Sequence, residues 1–153
     1  MSTSPGRITQ PMRGLRLLQL LLAVAVLVSI VHYIDNVVNF ADYPVPSSGP
    51  APSQAVIGLA WFVLTAFGAA GLVLFARGRI RPAAACLAVY STSGLVGLGH
   101  YTVPGATAMP WWRQAHVVAD IACGVALLAF VVWAARSRAT RDEAQPVGSD
   151  GLV

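Results

Sequence analysis

Three histidines and two aspartates have the residue types and the spacing of a binding or catalytic cluster. Asp35 follows His32 by three positions and Asp120 follows His116 by four, so each pair would lie on one face of a helix. His100 completes the set, and the chain has 3 histidines in total. His32, Asp35 and His100 lie at the ends of long apolar segments, whereas His116 and Asp120 lie at the start of one. Because short connections make sequential helices antiparallel, the sequence predicts that all five share one level of the protein.

Imidazole and carboxylate groups together are ligands of transition metals. The leading hypothesis is therefore a site for zinc, copper or iron. With an open coordination position, a bound metal would activate water for hydrolysis, whereas iron or copper would indicate redox chemistry. The predicted metal ligands are His32, Asp35, His100, His116 and Asp120, in which the aspartates either bind the metal or orient the rings. Arg113 and Asn36 are candidate cofactor-binding residues beside them.

The same residues are compatible with three other functions. A pocket for a lipid-like or small-molecule ligand would use them without a metal. A b-type haem would need two axial histidines from different helices, and His32 could pair with His100 or His116. A purely structural network would hold the helix ends together, in a chain that forms a homo-oligomer or joins a larger membrane complex. Whether the protein is an enzyme stays open at this point.

The composition predicts an integral membrane protein. Of the 153 residues, 56% are hydrophobic and 10% are charged, whereas soluble domains carry about 25% charged residues. Apolar runs of about 17–25 residues are typical of membrane-spanning helices. Four such runs are present: Leu15–Asn36, Ala55–Ala76, Ala83–His100 and Gln114–Ala135. We expect an all-α, four-transmembrane-helix bundle over residues 14–136, between a tail at 1–13 and a disordered tail at 137–153.

Two weaker features refine this expectation. His-Tyr occurs at the end of the first and third runs, which suggests two parallel helical hairpins. A cleaved signal peptide would share the basic flank of the first run, but no small-x-small cleavage site follows that run.

Arginine placement predicts the orientation. Nine of the ten basic residues lie before or at the start of the first run, between the second and third, or after the fourth, and Arg113 is the exception. The positive-inside rule then puts both termini in the cytoplasm and the histidines near the outer surface of the cell membrane. The absence of lysine and the abundance of Ala, Gly, Val and Arg favour a bacterial source. The basic charge is explained by topology, so we expect membrane lipid and no nucleic acid as a partner.

Overall fold

The computed structural model describes residues 9–44 and 52–143, and within them it is helical, without a strand. The long helices are α1 (Thr9–Val38), α2 (Gln54–Ala76), α3 (Ile80–Leu95) and α4 (Trp111–Glu143). Three 3₁₀ segments accompany them: Phe40–Asp42, Val96–Thr102 and Ala106–Ala108. Each of the four predicted runs is thus helical, which confirms the all-α fold class. Each also forms a helix long and apolar enough to cross a membrane, when α3 is counted with the segment that follows it.

The sequence predicted that the third apolar run is α-helical up to His100, but the structure differs. The α-helix ends at Leu95 and continues as the 3₁₀ segment Val96–Thr102. Gly94, Gly97 and Gly99 lie at this change, and glycine is a poor helix former because its backbone loses much entropy on ordering. The tighter 3₁₀ winding alters the direction in which the His100 side chain leaves the backbone.

Helix ends extend past the predicted domain boundaries. α1 begins at Thr9, inside the predicted tail 1–13, and α4 continues past 136 to Glu143. The remaining parts of both predicted tails, 1–8 and 144–153, lie outside the described residues. At the start of α2, the Ser53 hydroxyl accepts a hydrogen bond from the Val56 amide, which caps that helix.

The helices pack in a ring in which α1 and α3 each contact α2 and α4. The buried core between them consists of Leu18, Leu22, Ala25, Leu87, Tyr90, Leu127 and Phe130. Many large apolar side chains point away from this core and are exposed on the outside of the bundle, as Leu20, Leu27, Phe62 and Val132 illustrate. The apolar content of the chain therefore covers both the core and much of the outer surface.

Glycines allow the closest helix contacts. A Cβ at Gly94 of α3 would collide with the backbone carbonyl oxygen of Asp120 on α4, and a Cβ at Gly124 would lie 2.7 Å from the carbonyl oxygen of Ser91. On the other side of α3, Gly68 and Gly71 of α2 pack against Tyr90 and Leu87. Small residues let helix backbones approach in this way. The α3–α4 crossing fixes the height of Asp120.

We expect Gly94→Ala to lower the free energy of unfolding by about 1–3 kcal/mol, because the added methyl group forces α3 and α4 apart. Thermal unfolding in detergent micelles, followed by circular dichroism, measures the loss. Gly58→Ala is the matched control, since its Cβ would meet only Val37 at an ordinary 3.8 Å. Equal stability of the two variants would contradict the close crossing at Gly94.

Candidate functional site

All three histidines meet at one end of the bundle, which we call the histidine end: the end where α1 stops and α4 starts, beside the segment Val96–Thr102. The ring centroid of His32 lies 5.6 Å from that of His100 and 5.5 Å from that of His116. His32 is 3% exposed and is the central ring. The structure therefore brings together the side chains that the sequence singled out, from α1, α4 and the 3₁₀ segment.

One short polar contact of the site joins α1 to α4. His32 Nδ1 donates a hydrogen bond to Asp120 Oδ2 over 2.7 Å, and both side chains are almost fully buried. Because a carboxylate oxygen is only an acceptor, Nδ1 of His32 carries a hydrogen. In a neutral ring, Nε2 is then the nitrogen with the lone pair. The Asp120 carboxylate fixes both the orientation and the tautomer of His32, as second-shell carboxylates do for histidines in catalytic and metal sites.

A second carboxylate, Asp35, collects several donors. Its Oδ1 accepts a hydrogen bond from Asn39 Nδ2 at 2.6 Å. Its Oδ2 accepts one from the Tyr43 hydroxyl at 2.6 Å and one from Arg113 Nε at 2.9 Å. His116 Nε2 lies 3.3 Å from the same oxygen. Asp35, on α1, is thus held by α4 and by the residues that follow α1.

The two residues of each predicted helix pair do not bond to each other. The spacing predicted only that His32 and Asp35 share one helix face, and that His116 and Asp120 share another. Instead the pairs cross between α1 and α4: His32 bonds Asp120, and His116 lies beside Asp35. Two residues on one inward face point in the same direction, so each is met by groups from the facing helix. Helical periodicity cannot predict which residues of two facing helices contact each other.

Arg113 is buried between aromatic rings rather than free for a ligand. Its guanidinium carbon lies 4.8 Å from the Tyr43 ring centroid and 5.0 Å from that of Trp112. Besides Asp35, it contacts the exposed Asp42 through Nη2 at 3.4 Å. Both carboxylates that Arg113 contacts belong to the protein, and its predicted part in cofactor binding stays a prediction.

Tyr43 is a site residue that the sequence did not indicate. It is 6% exposed and its hydroxyl donates to Asp35. Burial, followed by the hydrogen bond to Asp35, raises the pKa of this hydroxyl well above its ordinary value. Tyr43 therefore remains a protonated donor at any physiological pH. The only sequence signal was a tyrosine shortly after the polar end of a helix. That signal does not distinguish a buried hydrogen-bond donor from a tyrosine on the surface.

His100 is held by the other predicted cofactor residue. The Asn36 amide nitrogen lies 3.1 Å from His100 Nε2 and donates to it, and the Tyr43 ring centroid lies 5.0 Å from that of His100. Asn36 thus contacts the cluster directly. Its role in this structure is to orient an imidazole.

A cavity of about 430 Å³ lies beside the cluster, between α1, α2 and the segment Val96–Thr102. Ligand pockets typically measure about 300–1,000 Å³. Most of its wall is apolar, with polar groups concentrated on α1 and the 3₁₀ segment. Its polar residues are His32, Tyr33, Asn36, Tyr43, Ser93 and His100, and its apolar ones include Phe40, Val56, Ile57, Ala60, Val96 and Val103.

Several imidazole nitrogens have no hydrogen-bond partner within the part of the chain that the structure describes. They are Nε2 of His32 and both ring nitrogens of His116, of which Nε2 lies near Asp35 without the geometry of a hydrogen bond. An unsatisfied buried polar group costs about 1–3 kcal/mol. Native proteins keep such groups where a ligand, an ion or water completes them. His32 combines such an atom with a position on the cavity wall.

The arrangement does not amount to a preformed metal centre. Among residues 9–44 and 52–143, no group of three or more His, Cys, Asp or Glu is arranged to hold a metal ion. Asp35 is occupied by Arg113, Tyr43 and Asn39, and Asp120 by His32. The metal site therefore stays a prediction, in which the carboxylates act behind the rings rather than as ligands.

Comparison with known proteins gives no further guide to the site. No family model matches the chain, and neither the curated proteins nor the solved structures yielded a match. Function must therefore be argued from the residues themselves.

We expect Asp35→Asn to destabilise the protein by about 3–5 kcal/mol, because it removes the charge that faces the buried Arg113 guanidinium. Unfolding in detergent measures the effect. Asp42→Asn removes an equal charge from the exposed partner of Arg113 and should cost at most about 1 kcal/mol. Similar losses for both variants would show that burial of the Asp35 pair is unimportant.

Proposed function

We propose that the chain is a multi-pass protein of the bacterial cell membrane with both termini in the cytoplasm. The exposed apolar side chains on the outside of the bundle support insertion in lipid. The arginines support the orientation, since all but Arg113 belong to the end opposite the histidines or to its flanks. The histidine end then faces the outer surface.

Thiol labelling of intact cells tests this orientation. In a background with Cys86→Ala and Cys123→Ala, we expect Thr107→Cys to react with a membrane-impermeant maleimide. Ser2→Cys should react only after lysis. Thr107 is exposed in the connection before α4, so its reagent access depends on the side of the membrane. The opposite labelling pattern would reverse the proposed topology.

We further propose that the protein binds an amphipathic, lipid-like or small-molecule ligand in the cavity at the histidine end. One observation carries this proposal: the 430 Å³ cavity includes His32, whose buried Nε2 lacks a partner among the described residues while Asp120 holds the ring in place. A site that is mostly apolar, with few oriented polar groups, favours a ligand that has an apolar body and a polar head.

Rigidity at the polar wall supports the same function. His32 is oriented by Asp120, His100 by Asn36 and Tyr43 by Asp35. Each ring is fixed before a ligand arrives, so less side-chain entropy is lost on binding. A network that served only to hold the helices together would gain nothing from a cavity beside unsatisfied nitrogens.

We expect Ala60→Trp to abolish ligand binding, because the indole would fill the cavity from its α2 wall. Native mass spectrometry of protein released gently from detergent would show a bound small molecule in the unmodified protein and none in this variant. Ala66→Trp is the control: Ala66 is exposed on the same helix and does not line the cavity. Equal occupancy in both variants, or an empty unmodified protein, would contradict the proposal.

A transition-metal site is the second candidate, and a specific observation favours it. The unpartnered nitrogens of His32 and His116 belong to rings only 5.5 Å apart, a separation over which two imidazoles can share a zinc, copper or iron ion. His100 would be the third ligand, after release of its bond from Asn36. Elemental analysis of the same purified protein decides this candidate, and its absorbance spectrum decides the haem hypothesis.

A further inference from the structure

We propose that the ligand of the cavity is an uncharged membrane lipid, which enters laterally from the bilayer through a slot between α2 and the segment Val96–Thr102. This inference rests on the proposed ligand-binding function and specifies the class of the ligand and its route. It is argued from the exposed edges of the cavity, from the place of these edges in the helices, and from the residue types of the wall.

The mouth of the cavity lies where its lining residues are exposed on the outside of the bundle. Val56 is 55% exposed and Val96 is 64% exposed. Pro52 and Gly99 are exposed lining residues as well. Residues three apart in a 3₁₀ helix lie above one another, so Val96 and Gly99 form one edge, while Pro52 and Val56 at the start of α2 form the other. A Cβ added at Gly99 would meet no atom within 4 Å, so this edge borders open space.

The slot between these two edges faces lipid. Val56 and Val96 both lie within segments that are long and apolar enough to cross a membrane. The four edge residues are two valines, a proline and a glycine, whose side chains offer no hydrogen-bond donor or acceptor. The segment Val96–Thr102 packs mainly against α3 and α4, so α2 stands apart from it at this level. An apolar chain can therefore pass between the bilayer and the cavity without contact with water.

The polar residues that line the cavity are less exposed than its edges. His32, Asn36, Tyr43 and Ser93 are buried, so they form the back of the cavity. Histidine, asparagine, tyrosine and serine side chains include both donors and acceptors. The back of the cavity is therefore suited to a hydroxyl or ester head group, whose apolar chains then extend through the slot into the bilayer.

The residue types of the wall favour a head group without charge. Among the described residues, those that line the cavity include no arginine, lysine, aspartate or glutamate. Arg113 lies at the same end of the bundle but does not line the cavity, and it is bound to Asp35 and Asp42. Burial of a charged group without an opposite charge is strongly unfavourable. A neutral lipid avoids this cost, whereas a phospholipid does not.

Competition for a photoactivatable diacylglycerol tests the class of the ligand. The protein is reconstituted in phosphatidylcholine vesicles with a diacylglycerol that carries a diazirine in one chain, and crosslinking is measured with unlabelled competitors. Dioleoylglycerol and dioleoylphosphatidic acid have the same chains and differ in a hydroxyl against a phosphate. We expect dioleoylglycerol to compete at a concentration at least about tenfold lower, equivalent to about 1.4 kcal/mol. The excess of phosphatidylcholine suppresses labelling at unspecific lipid contacts.

Two pairs of tryptophan variants test the route. Val56→Trp should remove most of the competable crosslinking, because the indole obstructs the slot. Val63→Trp is its control, since Val63 is 48% exposed on the same face of α2, seven residues further along, and does not line the cavity. Val96→Trp should act like Val56→Trp from the other edge. Val89→Trp is its control, because Val89 is an exposed residue of α3 outside the cavity wall.

The outcomes separate this inference from the function on which it rests. Competition by dioleoylphosphatidic acid as strong as that by dioleoylglycerol, or stronger, would overturn the uncharged ligand. Equal crosslinking in each tryptophan variant and its control would overturn the lateral route. Absence of competable crosslinking, together with a copurified ligand that Ala60→Trp excludes, would overturn the lipid while the ligand pocket stands. Absence of both competable crosslinking and any copurified ligand would overturn the pocket itself.

Discussion

The burial of two carboxylates, Asp35 and Asp120, is the constraint on which the histidine end depends. Removing a carboxylate from water is expensive unless donors or cations surround it. Asp35 meets this requirement with Tyr43, Asn39 and Arg113, and Asp120 meets it with His32. These contacts connect α1, α4 and the residues after α1, so the same interactions that compensate the charges also fix the relative positions of the helices.

The charges of the two carboxylates are compensated by different groups, and this difference determines the chemistry that the histidine end can perform. Asp35 faces a permanent cation, so its surroundings are complete without a ligand. Asp120 faces an imidazole whose other nitrogen is unsatisfied and which borders a cavity. The Asp35–Arg113 ion pair, which joins α1 to α4, and the candidate binding site at His32 thus lie side by side. The glycine contact between α3 and α4 helps to position the His32 site, because it holds the Asp120 backbone against Gly94.

Helix packing explains why the cavity lies where it does. Below the histidine end, close contacts of Gly68 and Gly71 with α3 leave little space between α2 and α3. Towards the histidine end, α3 becomes the 3₁₀ segment Val96–Thr102, and the cavity opens between this segment, α1 and α2. Small residues such as Ala60, Gly97 and Gly99 line it without filling it.

The sequence by itself determined the number, class and approximate limits of the helices, because long apolar runs admit almost no other backbone structure. It also identified His32, His100, His116, Asp35 and Asp120 as one group, from their types and shared level. Only the tertiary structure decided which side chain bonds to which. The exchange of partners between α1 and α4, the burial of Tyr43 against Asp35, and the cavity beside His32 depend on how the helices rotate and cross. Periodicity fixes the face of one helix, whereas pairing depends on the face of its neighbour.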